Sequence, residues 1–451
     1  YGSSLSSAFH GDVGYIAPWN TFHYYLNAKY FDELGYFDLY SCTLEADFEE
    51  GHTFSGTTDI RDLRTYELVS VEDSAPCPKD SFTPERWTEF KADVSIIHSW
   101  GTSEYWRSSL TDKGFNATPF WVVWVRPFAN LIQLQTLVHA AIILNLDLIC
   151  LGLSLVVSTF IFGGVTTSVM AIFMLLYFGT YQGLMGNLFQ YPWLIALLWM
   201  VMSLEKKWFR PAGLFLAFAT VNRIFPVVFV LGFGIKYLLS FKEDTVTHDQ
   251  KQHYQSLLLS FLLGVSLFVL IGLFTSRGLG AWMDFLTNIK MHSQYLVGES
   301  FNLGFKNMLA GMGLHGSMLN LINGGGVLIV LTMYYYLVKN IRSELMIFVF
   351  NIPLIYFLLT LSPYYFQVFG LVGVGYYALQ KNEKYKYVGI LLVVGLFLFL
   401  IINTLIDVQI FTYLSSLSKT SHEFILLILS LSILLLGVTV ARSEQQTDVK
   451  K

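Results

Sequence analysis

The sequence predicts an all-α polytopic membrane protein with about 11 membrane segments, counting apolar runs long enough to cross a bilayer. Three observations lead there. Of 451 residues, 54% are hydrophobic and only 13% charged, with a mean hydropathy of +0.52, whereas a soluble chain carries about 25% charged residues. Polarity is unevenly spread: residues 1–118 read as a water-exposed segment, and 119–441 are dominated by long apolar runs. The basic residues, finally, fall in clusters at alternate connections, as cytoplasmic loops do. The same composition excludes a disordered chain and a coiled coil. A net charge of −4 offers no basic surface to a nucleic acid.

The predicted organisation is an extracytoplasmic N-terminal region with interfacial helices at 1–146, a transmembrane bundle at 147–441 and a cytoplasmic tail at 442–451. The chain begins at Tyr1 rather than Met, so a removed signal peptide or a further N-terminal helix is expected upstream. From Asn20 to Leu34 the aromatic and apolar residues recur at helical spacing, and Gly35 suits the position just past a helix end. Cys42 and Cys77 either pair, if this region faces an oxidising space, or remain two thiols. Asp59, Arg61, Asp62 and Arg64 alternate in sign and read as a solvated, self-paired turn. Asn116-Ala117-Thr118 fits the N-glycosylation pattern. With no CxxC, no HExxH and no His/Cys cluster at zinc spacing, no metal site is expected and no cofactor is required.

Residues 119–146 mix aromatics with Arg126, His139 and Asn145, which suggests an interfacial entry. Spans follow near 147–163, 165–182, 187–204, 255–274, 318–338, 344–361, 364–380, 386–404 and 422–441. Asp147 and Glu344 open two of them, where a helix N-terminus favours a carboxylate. Ser362-Pro363-Tyr364-Tyr365 reads as a tight outer turn with interfacial aromatics. The stretch 211–241 is interrupted at Asn222-Arg223-Ile224-Phe225-Pro226. Its first half has about 12 residues and covers about 18 Å of a roughly 30 Å core. The basic clusters Lys206/Lys207/Arg210, Lys236/Lys242/Lys251, Lys339/Arg342, Lys381/Lys384/Lys386 and Arg442/Lys450/Lys451 alternate consistently only if this stretch starts and ends in the cytoplasm. It is then a broken hairpin whose tip lines a polar cavity. The N-terminal region and the loop 276–317 lie outside, forming a small polar cap, and the C-terminus lies inside.

Three constellations carry candidate chemistry. The first holds His10 and Asp12 and then Asn20, His23 and Tyr24, where an acid and two imidazoles ahead of and within a helix supply candidates for a general base or for positioning a hydroxyl. The second is Asn222-Arg223 at the break: an ionisable group inside a membrane segment is a functional-site candidate, and a guanidinium suits phosphate. The third is the outer loop, with Trp282, Phe285, Ile289 and His292 on one helical face and Asn302 beyond it. Each also has a bland reading: local caps and turns for His10 and Asp12, a structural ion pair for Arg223, interfacial packing for His292.

The tyrosine-rich segment HYYLNAKYFDELGYFDLY, the hairpin FATVNRIFPVVF and the segment FLTNIKMHSQ with Asn302-Leu303-Gly304 together resemble the GT-C superfamily of integral-membrane glycosyltransferases, specifically its bacterial, polyprenyl-phosphate-sugar-dependent members. The resemblance implies a GT-C-like bundle that transfers a sugar from a polyprenyl phosphate to an extracytoplasmic glycan, lipid or protein acceptor, by direct displacement with inversion. It makes Asp12 the general base, Arg223 the donor-phosphate ligand and His292 a second phosphate contact, with Asn20, Tyr24, Asn222 and Asn302 near substrate. It also implies residence in a bacterial inner membrane. Many relatives place an acid directly before the tyrosine-rich helix, where this chain has Asn20, so His10 or His23 are alternative bases. A non-catalytic subunit of a larger membrane assembly and a transporter of an anionic substrate are the other classes. The transporter class calls for matched broken segments in two halves, and only 222–226 stands out.

Overall fold

A computed structural model describes residues 16–52, 56–177, 186–241, 247–298, 302–407 and 418–449. The chain forms two compact units. The first gathers residues 1–150, 183–192 and 267–294, and the second gathers 151–182, 193–266 and 295–451.

The first unit is helical around an aromatic core, with one small sheet. Its helix starts are written in the sequence: Thr83, Thr102 and Thr118 each accept a hydrogen bond from the backbone N–H three residues on. Pro84 and Pro119 sit at the first helical position, where no N–H is needed. Thr118 therefore serves as a helix cap in the glycosylation-like tripeptide, and the Asn116 carboxamide accepts from the Tyr24 hydroxyl at 2.7 Å. The Leu39–Glu49 and Pro84–His98 helices pack together, and Cys42 is disulfide-bonded to Cys77.

The expected helix over 20–34 forms in pieces. A π-helical turn occupies Thr21–Tyr25, Leu26–Lys29 continues it, and Phe31–Leu34 closes at Gly35, which has φ +56°. The positive φ strains any side chain at Gly35, whereas the Arg277 guanidinium, 2.7 Å from where a Cβ would lie, is the movable end of its side chain. The charged side chains at 59–64 form no ion pair with one another among the described residues, although Asp62 Oδ1 accepts the Arg64 backbone N–H at 2.8 Å. Asp59–Arg61 is a strand pairing antiparallel with Leu68–Ser70. Arg61 donates to the carbonyls of Thr111 and Tyr66, and Arg64 reaches Asp38 at 2.6 Å. Two adjacent short runs with a turn between them satisfy their backbone by pairing, and the outward side chains find partners elsewhere. Arg126 likewise acts as an anchor, with both terminal nitrogens on the Asp32 carboxylate at 2.9 and 2.7 Å.

In the second unit, long apolar helices carry one buried and one exposed apolar face. Along Lys386–Asp407, Leu392, Leu396 and Phe399 are buried, while Leu391, Val394, Leu398 and Ile401 are exposed. A helix apolar on its outer face as well as its inner one is solvated by lipid. Among the described residues, four helices are long and apolar enough to cross a membrane: His248–Phe274, Gly316–Asn340, Glu383–Ile406 and Ser421–Gln446. A fifth is added if Leu137–Leu144 and Leu146–Phe162, bent by 42°, form one span. The protein is thus helical and membrane-integrated, and its described residues hold fewer long apolar helices than the 11 segments expected.

The shortfall has a local cause. Gly164–Leu176 and Pro192–Glu205 have 13 and 14 residues, or about 20 Å at 1.5 Å each, short of a roughly 30 Å core. The expected span 344–361 is divided at Ile352-Pro353 into Glu344–Asn351 and Leu354–Leu358, and 364–380 starts as a 3₁₀ segment, Pro363–Val372. Helices approach closely where side chains vanish: a Cβ on Gly213 would lie 2.2 Å from the Leu257 carbonyl oxygen. Some of the basic residues that mark the loops are ion-paired, Lys207 with Glu344 at 2.9 Å and Lys381 with Glu205 at 2.7 Å.

Candidate functional site

His10 and Asp12, the first base candidates, lie outside the described residues. The rest of the N-terminal constellation is in the first unit and is buried. A carbonyl only accepts, so His23 Nδ1 donates to the Trp19 oxygen at 2.8 Å. Its Nε2 then accepts from the Tyr40 hydroxyl at 2.8 Å, whose oxygen takes the Gly114 N–H at 3.0 Å. Burial lowers the His23 pKa, against the opposing pull of Asp112 at 3.9 Å. His23 is a neutral, doubly tied ring at 1% exposure, placed in the π-helical turn. Asn20 accepts the Leu188 N–H at 2.8 Å and so fixes the 186–192 stretch to the helix start. Tyr24 holds Asn116 and packs edge-on against Phe115 and Trp121. These residues work as architecture, and none presents a reactive atom to an open surface.

The tyrosine-rich pattern has its explanation one turn further on. The Asp93 carboxylate oxygen Oδ2 accepts from Tyr25 at 2.9 Å, Tyr30 at 2.8 Å and Lys29 at 2.7 Å. Glu89 adds a second carboxylate to Lys29 at 2.8 Å, and Arg86 lies over the Tyr30 ring at 4.3 Å while pairing with Glu33. Burial first, and then Asp93, raises the pKa of both tyrosines well beyond the ordinary value, so both remain donors.

His292 is in the same unit, on the Leu279–Tyr295 helix, with its Nδ1 at 3.5 Å from the Tyr66 hydroxyl. Tyr66 donates at 2.8 Å to Asn288, which binds the Phe115 carbonyl at 2.7 Å. Burial, with Lys113 adding to it, brings the His292 pKa down to about 4. At neutral pH this imidazole carries no charge to offer a phosphate.

Asn222, Arg223 and Asn302 belong to the second unit. The Phe209–Asn222 helix stops because Arg223 adopts extended backbone, φ −144° and ψ 119°, and Phe225–Val230 resumes as a tight 3₁₀ turn with Pro226 near its start. The break expected from the sequence is present at that place. Its polar side chains are buried: Thr220 at 8%, Asn222 at 1% and Arg223 at 6% exposure. Asn222 donates back to the Phe218 carbonyl at 2.9 Å, while its Oδ1 and the Thr220 hydroxyl have no hydrogen-bond partner among the described residues. Trp193, Phe225 and Tyr365 form an aromatic cluster at the break, with ring centroids 4.9 to 5.7 Å apart.

Asn302 is 2% exposed, and its backbone carbonyl accepts from Asn307 Nδ2 at 2.6 Å. That same nitrogen donates to Glu423 Oε1 at 2.8 Å. Glu423 is fully buried, and its backbone carbonyl accepts from the Tyr356 hydroxyl at 3.0 Å. Sequence reasoning passed over Glu423 because it stands at the start of a span, where a carboxylate needs no special explanation. It also passed over Asp47, His52 and His98, which converge although 46 positions separate the two histidines. Only a paired-helix contact brings these together, and no spacing motif announces it.

Compared with protein-family models, curated proteins and solved structures, the chain matches none. Its function is therefore argued from its own residues.

Proposed function

We propose that the protein is a GT-C-like membrane glycosyltransferase that moves a sugar from a polyprenyl phosphate to an extracytoplasmic acceptor, with inversion. One observation carries the reading: an apolar helix breaks at a buried arginine, flanked by buried Thr220 and Asn222 oxygens without hydrogen-bond partners among the described residues. Buried polar atoms in a native protein find partners, and a lipid phosphate with its attached sugar supplies both anionic and hydroxyl groups. In this reading Arg223 binds the donor phosphate and neutralises the charge that grows on it as the glycosidic bond breaks. Asn222 and Asn302 contact sugar. Asp12, or His10, takes the acceptor proton. The chemistry invokes no cofactor. The Cys42–Cys77 disulfide supports an oxidising, extracytoplasmic setting for the N-terminal region. In this reading the protein is an inner-membrane enzyme with its C-terminus in the cytoplasm and further, shorter segments completing the bundle.

The test is donor binding in the purified, detergent-solubilised chain. Arg223→Ala is expected to weaken binding of a polyprenyl-phosphate sugar at least 10-fold, with Arg223→Lys intermediate. Unchanged affinity in Arg223→Ala would overturn the phosphate role, and unimpaired transfer by Asp12→Asn would remove Asp12 as base. A second reading, a non-catalytic subunit of a membrane assembly, is favoured by the use of Asn20 and His23 in packing. It predicts donor binding without turnover.

A further inference from the structure

Asp47, His52 and His98 form a group in the first unit whose potential ligand atoms all lie within 4.8 Å of one another. None of them takes part in the proposed sugar transfer. Asp47 is on the last turns of the Leu39–Glu49 helix, and its side chain is fully buried. Gly51, at φ +81°, turns the chain back so that the His52 N–H reaches the Asp47 carbonyl at 3.1 Å and the ring returns over the helix end. His98 is the final residue of Pro84–His98. Its Nδ1 is 2.7 Å from Asp47 Oδ1, and His52 Nδ1 is 3.3 Å from the same oxygen. The two rings are edge to face with centroids 5.5 Å apart.

We propose that this group is a binding site for a divalent transition-metal cation, zinc being the ion its ligands suit best. Two imidazole nitrogens and one carboxylate oxygen are a frequent three-residue ligand set for zinc. Bonds of roughly 2.0–2.1 Å in a tetrahedral site place neighbouring ligand atoms about 3.3 Å apart. The His52 contact already has that length, and the His98 contact opens by about 0.6 Å to reach it. Two helices end at the site, and the partial negative charge of their C-termini favours a cation there. His52 is 47% exposed, which leaves the fourth position facing solvent and open to water. The metal takes lone pairs of His98 Nδ1, His52 Nδ1 and Asp47 Oδ1. A neutral His98 then carries its proton on Nε2, and an imidazolium releases one proton to solvent.

The experiment uses the whole chain in detergent, stripped with a chelator and titrated with Zn²⁺ against a chromophoric competitor. One equivalent is expected to bind, with a Kd of micromolar or tighter. His52→Gln, at an exposed turn where folding is undisturbed, is expected to weaken binding at least 10-fold, and Asp47→Asn more. Zn²⁺ should raise the melting temperature of the wild-type chain and leave that of His52→Gln unmoved, as linkage requires. Co²⁺ in place of Zn²⁺ should give the visible absorption of a four-coordinate site, absent in the variant. Failure to bind one equivalent, or equal affinity in wild type and His52→Gln, overturns the proposal. Sugar-transfer activity enters none of these measurements.

Discussion

Lys29 and Asp93 form a buried ion pair, Nζ to Oδ2 at 2.7 Å, with the lysine 6% and the aspartate 4% exposed. The pair is held inside a ring of donors rather than at a surface, so removing Lys29 strands the Asp93 carboxylate in low dielectric, and removing Asp93 leaves Lys29 with Glu89 alone and Tyr25 and Tyr30 without their acceptor. Asp93→Ala is expected to destabilise the chain by about 3–5 kcal/mol. Asp93→Asn should cost less, because it keeps an acceptor for Tyr25 and Tyr30. Melting curves of the purified variants check the order. An Asp93→Ala melting temperature equal to wild type would show that Glu89 alone suffices to hold Lys29.

Stability is expected to fall with acid between about pH 6.5 and pH 4. His292 and His23 both have folded pKa values below the unfolded value. In that window the unfolded chain takes up protons that the folded one does not, so stability is complete above pH 6.5 and is lost as pH falls. His292→Gln should flatten part of this slope, and a pH series of melting temperatures for wild type and variant measures it. An unchanged slope would place the effect elsewhere.

The disulfide closes a loop between positions 35 apart. Its removal in Cys77→Ser is expected to cost about 4 kcal/mol on the chain-entropy account. The wild-type chain should migrate differently on reducing and non-reducing gels, with the difference lost in the variant. Equal melting temperatures for the two would limit the bond to a minor role.

Asn20→Ala removes the acceptor of the Leu188 N–H and leaves that buried group unsatisfied, at an expected cost of about 1–3 kcal/mol. Asn20→Asp keeps an acceptor at the same place and should be milder. If Asn20→Ala melts like wild type, the stretch at 186–192 has another tether.

Local chemistry was legible in the sequence where one residue decides it. The stop at Gly35 and the break at Arg223 follow from backbone preferences that act over a few residues. The segment count was less legible. Apolar runs report composition, whereas Ile352-Pro353 and the Pro363–Val372 turn show that an apolar run need not be one helix. The aromatic pattern at 22–34 was read for its period and its family likeness. Its purpose, a shared bond to Asp93 some 60 residues away, depends on tertiary placement. Charge alternation at 59–64 is ambiguous for the same reason: the Arg64 guanidinium pairs with Asp38, and only its backbone N–H stays with Asp62. The two histidines beside Asp47 could not be joined by any spacing rule, since two helix ends create the neighbourhood.

The first unit is assembled from three separated stretches of chain. Asn20 waits for Leu188, Trp121 for the Phe189 carbonyl, and Tyr66 with Phe115 for Asn288. During synthesis the N-terminal portion is made first, yet the first of these closing bonds waits for residue 188 and the last for residue 288. The intervening apolar helices are made in the meantime. Such long-range closure is slow, and it leaves an incomplete aromatic core exposed while the ribosome continues. Biogenesis therefore carries its own constraint: a truncation before residue 288 should yield an N-terminal portion that proteases digest, even though its disulfide and the Lys29–Asp93 pair are already encoded within it.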